Sequence, residues 1–196
     1  MNSQPLILAS RSPRRRALLE MLGVEFAIDV EHVDEHFDSR LSPAEIVEDL
    51  ALKKAHPVSV KHPGQLILAA DTIVVLDDEI LGKPGSDTEA VEMLQRLSDR
   101  THKVFTGIAL VHAGSSRTSV VHAVTNVTFS TLSKDEISDY VAGGSPLDKA
   151  GGYGIQDDRG CLFVNRIEGD YYNVVGLPLN LLYNTLRSDF PDLTVF

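Results

Sequence analysis

With 196 residues, 43% hydrophobic content and no apolar run near the roughly 18 residues of a membrane span, the chain reads as one substantial soluble domain. Its formal net charge of −10 excludes a broad nucleic-acid footprint, which needs a basic stripe to displace counterions from phosphates. Any anionic ligand must therefore meet a local cluster of cations.

The first element expected is a strand at Leu6-Ile7-Leu8, with none of the basic, apolar and cleavage-site order of a signal peptide before it, so the cytoplasm is the expected location. A helix follows. Ser12 is a good N-cap, Pro13 suits the first helical position and Gly23 suits the residue after the stop. Arg14, Arg15 and Arg16 then fall in the first turn, where the helix end already carries partial positive charge. Cations there are unfavourable by some tenths of a kcal/mol unless an anion joins them. Strand, turn and helix over residues 5 to 23 thus predict a phosphate site, set against the alternative that the arginines only solvate a helix face.

Val24 to Val30 reads as a short strand, and Glu35 beyond it is either a surface acid or a site residue. Ser42 with Glu45 predicts a capping box around Pro43, opening a helix with Ile46, Val47 and Leu50 on its apolar face and a stop before Pro57. Lys53 and Lys54 then lie near the helix C-terminus, which is sufficient structural reason for both. Residues 66 to 76 are too continuously apolar for an exposed strand and read as a central one. Asp71 interrupts it. Burying an ionised carboxylate costs several kcal/mol without compensation, so Asp71 is either bonded to loop amides or acts as metal ligand or base at the strand's emerging end.

Asp77-Asp78 turns the chain back. The loop Gly82-Lys83-Pro84-Gly85 offers Lys83 as a phosphate binder, and Ser86 with Glu89 predicts a second capping box before a helix burying Val91, Leu94 and Leu97. Residues 103 to 112 and 117 to 130 read as paired strands, and Ser133 with Glu136 starts a short helix ending at Gly143-Gly144. In the glycine-rich stretch 146 to 160, Lys149 reads as an ordinary solvated lysine or a ligand contact. Gln156 offers an amide that donates and accepts together, as the imide edge of uracil or thymine requires. Cys161 is the only cysteine, which leaves no internal disulfide or cysteine-based zinc site, and its apolar neighbours predict a buried thiol within a strand over 161 to 167. Pro178 opens a last helix. The sum is a mixed α/β chain, 1 to 196, with no linker long enough to divide it. Its cations and buried acid point to a phosphorylated small molecule held with a divalent ion, and to water attack at phosphorus.

Five blocks together are more specific than any of these signals: Ala-Ser-x-Ser-Pro-Arg-Arg at 9 to 15, Ala-Asp-Thr at 70 to 72, Gly-Lys-Pro at 82 to 84, Asp-Lys-Ala-Gly-x-Tyr-Gly-Ile-Gln at 148 to 156 and Val-Val-Gly-Leu-Pro at 174 to 178. In this order and spacing the chain resembles the Maf family of nucleoside triphosphate pyrophosphatases. The resemblance implies an elongated, mixed-sheet, two-lobed α/β fold with a central cleft, related to the inosine triphosphate pyrophosphatases. It implies cleavage between the α- and β-phosphates. It further implies Asp71 as catalytic proton acceptor, Ser10, Arg14, Arg15, Lys54 and Lys83 as phosphate-binding residues, and Glu35 with Asp71 around a divalent cation, Mg²⁺ or Mn²⁺. A homodimer is implied as well.

Arg14, Thr72 and Gln156 match the branch acting on dTTP and UTP, whereas the branch acting on 7-methyl-GTP carries tryptophan, glutamine and glutamate there. One departure stands out: Asp157-Asp158-Arg159 follows Gln156 where the family commonly has glycine, adding negative charge beside the expected base pocket. A competing class is a nucleotide-binding regulator without turnover, since the family's name comes from an effect on septum formation.

Overall fold

Three parallel strands joined by helices set the frame. The computed structural model describes residues 6–144, 146–156, 159–193 and 195. β1 (Leu6–Leu8) is wholly buried and leads through α1 (Pro13–Met21) to β2 (Phe26–Ile28), which pairs parallel with β1. α2 (Pro43–Lys61) then crosses to β3 (Ile67–Leu76), which pairs parallel with β1 on its other side. Parallel neighbours need such crossovers. A two-residue turn, Asp77-Asp78 with φ of 48° and 66°, folds β4 (Glu79–Leu81) antiparallel onto the end of β3. α3 (Asp87–Leu97), β5 (Thr101–His112), β6 (Arg117–Phe129), α4 (Lys134–Ala142), β7 (Val164–Glu168), α5 (Tyr171–Val175) and α6 (Leu179–Asp189) complete the chain. The seven-stranded sheet runs β2-β1-β3-β5-β6-β7, with β4 attached to β3, and makes the protein mixed α/β.

The chain forms two compact units: residues 1–71, 106–123 and 176–196, and residues 72–105 and 124–175. It passes between them inside β3, β5 and β6 and again at the end of α5. The first unit's core contains Ile7, Ala51, Ala55, Val58, Ile67, Ala69 and Ala109. Gly107 is required there, because a Cβ would stand 2.3 Å from the Val47 carbonyl oxygen, so the α2 backbone rides directly on β5. The second unit's core contains Leu81, Leu94, Leu97, Val104 and Ile137, with the aromatic group Phe129, Tyr140, Tyr153 and Phe163.

Several expectations need correction. α2 does not stop before Pro57 but continues to Lys61. Proline removes one helical hydrogen bond, yet Ala55 and Val58 are fully buried, and keeping them in the core outweighs that loss. Lys53 and Lys54 are therefore mid-helix residues, and the favourable C-terminal dipole does not explain them. The Ser86 box is only half formed: Ser86 accepts from the Glu89 N–H, but the Glu89 carboxylate accepts from the Gly85 N–H at 2.8 Å instead. Residues Gly160–Phe163 form a 3₁₀ turn rather than strand, so β7 starts at Val164, and Cys161 is exposed rather than buried. By contrast, the boxes at Ser42 and Ser133 close reciprocally.

Candidate functional site

The turn from β1 into α1 is built by short side chains. Ser12 caps α1 by accepting from the Arg15 N–H at 3.4 Å, Pro13 takes the first helical position, and no acidic residue occupies the first turn. At the far end Gly23, with φ of 69°, donates to the Glu20 carbonyl while Val24 donates to that of Leu19, closing a Schellman motif over buried Leu19 and Val24. α1 is thus fixed at both ends, and its first turn presents the arginines predicted for an anion.

Ser10, 8% exposed, organises that turn: its Oγ accepts from the Ser12 N–H at 3.2 Å and from Arg15 Nη1 at 3.2 Å. Arg15 also donates through Nε to the Gly176 carbonyl at 2.8 Å. That carbonyl was not among the sequence candidates, because a backbone acceptor leaves no mark on residue type. Burial lowers the Arg15 pKa from its ordinary value, Asp71 opposes that shift, neighbouring Arg14 adds to it and Glu35 opposes it. Both carboxylates are therefore within electrostatic reach of a half-buried guanidinium.

Asp71 sits in the middle of β3 and not at an emerging end. β1 pairs with β3 only at Ile67 and Leu68, and β4 only from Val74 onward, so Asp71 falls in the stretch that neither of them pairs. Its side chain is 13% exposed, and Oδ1 accepts from Lys54 Nζ at 2.5 Å. The same ammonium lies 2.9 Å from Glu35 Oε1. Lys54, itself 18% exposed on α2, thus bridges a nearly buried carboxylate and a largely exposed one. Lys53, one residue earlier, pairs instead with Asp49 and with the His36 carbonyl.

Six of the sequence candidates, Ser10, Arg14, Arg15, Glu35, Lys54 and Asp71, accordingly belong to the first unit and are linked by these hydrogen bonds, ion pairs and electrostatic contacts. Thr72, Lys83 and Gln156 belong to the second. There the Gly151 N–H donates to the Gly82 carbonyl at 2.9 Å, holding the Lys83 loop against the glycine turn, and Lys83 itself is exposed. Thr72 is half-buried and Gln156 exposed. Lys149 is not a solvated lysine: it is 6% exposed, with Nζ 2.7 Å from Asp148 Oδ1. Asp157 and Asp158, the departure noted in the sequence, lie outside the described residues.

The donor set fits a hard divalent cation. Asp71 and Glu35 supply two carboxylates that already converge on one positive atom, Lys54 Nζ, and such ions take one or two carboxylates together with substrate phosphates and water. Among the described residues no group of three or more His, Cys, Asp or Glu is arranged for a metal, so phosphate oxygens would complete the shell. No helix among the described residues is long and apolar enough to cross a membrane.

Comparison with known proteins agrees with the sequence motifs. A family model described as Maf-like protein matches residues 5–189, which takes in both units. The dTTP/UTP pyrophosphatase of Salinibacter ruber is 56% identical over 191 residues, covering 97% of this chain and 94% of that protein. The protein of the same name from Symbiobacterium thermophilum is 54% identical, covering 90% of each chain, and that from Bacillus cereus is 47% identical, covering 98% and 94%. The solved Ham1 protein of Staphylococcus aureus is similar with a TM-score of 0.48 at 14% identity, covering 64% of this chain and 72% of that one.

Proposed function

The chain belongs to the Maf family, and from that premise we propose that it is a nucleoside triphosphate pyrophosphatase acting on dTTP and UTP. The observation that carries the reading is the Asp71–Lys54–Glu35 cluster beside Arg15, set in a chain whose relatives bear that activity in their names over nearly their whole length. Water adds to one phosphorus of the α,β anhydride and the bridging oxygen leaves. The products are a nucleoside monophosphate and pyrophosphate, whichever phosphorus is attacked.

Each residue has a task in that reaction. Arg15, oriented by Ser10 and the Gly176 carbonyl, offers a fixed fork to phosphate oxygens, and Arg14, Lys54 and Lys83 add charge. Asp71 accepts the proton of the attacking water. Its carboxylate is held at a fixed place on β3 by the 2.5 Å contact with Lys54 Nζ. Asp71 and Glu35 would hold Mg²⁺ or Mn²⁺, which when bound neutralises phosphate charge and acidifies coordinated water. Gln156, with Arg14 and Thr72, selects the pyrimidine, because a neutral amide matches an imide edge that a glutamate would repel. The reading places the protein in the cytoplasm, as a homodimer.

The deciding experiment incubates purified protein and a divalent cation with dTTP, UTP, GTP and 7-methyl-GTP. Pyrophosphate, and not orthophosphate, should appear from the two pyrimidine nucleotides. Nucleotide binding without product over hours would instead support a regulator, and preferential turnover of 7-methyl-GTP would move the chain to the other branch.

A further inference from the structure

The second unit holds a buried polar pair that the phosphate chemistry leaves unused. His102 on β5 is 1% exposed, and its Nε2 lies 2.7 Å from the hydroxyl of Tyr153, which is 6% exposed. Phe129 meets both rings edge-on, at centroid distances of 5.0 and 4.7 Å. Nδ1 of His102 is buried without a hydrogen-bond partner among the described residues. Burial alone pushes His102 down to about 4 and is the main reason the Tyr153 pKa lies far above its ordinary value, so both rings are neutral at physiological pH. A neutral pair with one nitrogen unsatisfied is a poorer choice for stability than two phenylalanines of similar volume. Its presence needs another reason.

Position supplies one. Tyr153 and its neighbour are gripped from two elements: the Tyr153 hydroxyl by His102 of β5, and the Gly154 N–H by the hydroxyl of Tyr140 on α4 at 3.2 Å. Gly160 packs so closely on this segment that a Cβ would stand 2.5 Å from the Gly154 carbonyl oxygen. Residues 151–155 are all buried, and exposure returns abruptly at Gln156. The amide is therefore the first exposed side chain after a clamped segment.

We infer that His102 and Tyr153 are a positioning pair, which holds residues 153–155 in one register so that the Gln156 amide meets the pyrimidine imide in a fixed orientation. This rests on the substrate reading above and deepens it. Neither residue touches the reacting atoms. Pre-organised support of this kind makes itself felt in base selectivity and in KM, because the phosphates and the water are handled elsewhere.

The test is a double-mutant cycle on the full chain, using Tyr153→Phe, Gln156→Ala and the two combined, with UTP, GTP and thermal melting as readouts. Tyr153→Phe keeps the ring and removes only the hydroxyl. It should raise KM for UTP about two- to tenfold, the size of one neutral hydrogen bond, with kcat nearly unchanged, and should shift the UTP/GTP preference in the same direction as Gln156→Ala. In the combined variant the two effects should not add. His102→Phe should resemble Tyr153→Phe, and His102→Gln, which returns a polar atom near Nε2, should recover part of the loss. A fall in melting temperature with unaltered UTP preference, or additive effects in the cycle, would show a merely structural pair and overturn the inference. If the parent protein turned over no nucleotide, the pyrophosphatase reading alone would fall, and the same cycle read on UMP affinity by calorimetry would still decide the positioning role.

Discussion

The two polar clusters of this molecule solve opposite problems. Around Asp71 the groups are acids and bases incompletely buried, from 13% exposed at the Asp71 side chain to 60% at Glu35, and they share a single ammonium, that of Lys54. Around His102 they are neutral, almost fully buried and fixed by rings packed edge-on. The first arrangement is the one proposed to exchange its partners for a phosphate or a cation. The second cannot exchange anything, and its contribution is rigidity. In the proposed reading, charge is kept where the nucleotide is to arrive and neutral hydrogen bonds are kept where the backbone must not move.

Breaking the charged cluster should have the largest effect. Asp71→Asn removes the proton acceptor of the proposed reaction while preserving shape, and pyrophosphate release should fall by about a thousandfold, within the range lost with a general base. Melting temperature should change little; unimpaired turnover would remove Asp71 from the chemistry.

Acid titration sharpens the contrast from the other side. The folded-state pKa of His102, about 4, lies below the ordinary 6.5, so the unfolded chain binds the extra proton between those values. Its burial carries no protonation penalty above pH 6.5, and stability is lost as pH falls from there toward 4, by about 3 kcal/mol at most. Chemical denaturation of the parent and of His102→Phe at pH 7 and pH 5 checks this. The parent should lose more than the variant, and parallel curves would contradict it.

Lys54→Ala leaves Asp71 and Glu35 facing each other without their shared cation. Stability should drop by about 1–3 kcal/mol. Millimolar Mg²⁺ should raise the melting temperature of this variant more than that of the parent, since the ion takes the place of the ammonium between the carboxylates. Equal shifts would argue that the two acids do not form one cation site.

Smallest is Gln156→Glu, expected to lower kcat/KM for UTP by about tenfold while leaving the fold untouched, as for one mispaired hydrogen-bonding group. Steady-state kinetics with UTP and dTTP measures it.

Much of the local architecture was legible before any coordinates. Ser12, Pro13 and Gly23 specify α1, the Ser42 and Ser133 boxes specify the starts of α2 and α4, and Asp77-Asp78 specifies the hairpin, because caps and turns are satisfied within a few residues. The motif blocks likewise contain Ser10, Arg14, Arg15, Asp71, Thr72, Lys83 and Gln156, whereas Glu35 and Lys54 lie outside them. His102 was not legible, since the strand expected over 103 to 112 leaves it out and its burial is set by segments far along the chain.

Long-range competition was not legible. Pro57 looks like a stop until the burial of Val58 is known, and Cys161 looks buried until the chain turns beneath it into a 3₁₀ turn. The role of Lys54 depended on Asp71, 17 residues away and on another element, and the anchor of Arg15 was a carbonyl 161 residues distant. The sequence by itself determined where elements begin and which residue types carry charge, since those choices are settled by neighbours along the chain. Only the tertiary structure decided which charges share a partner and which polar groups lose their water, because burial and pairing are set by segments far apart in sequence.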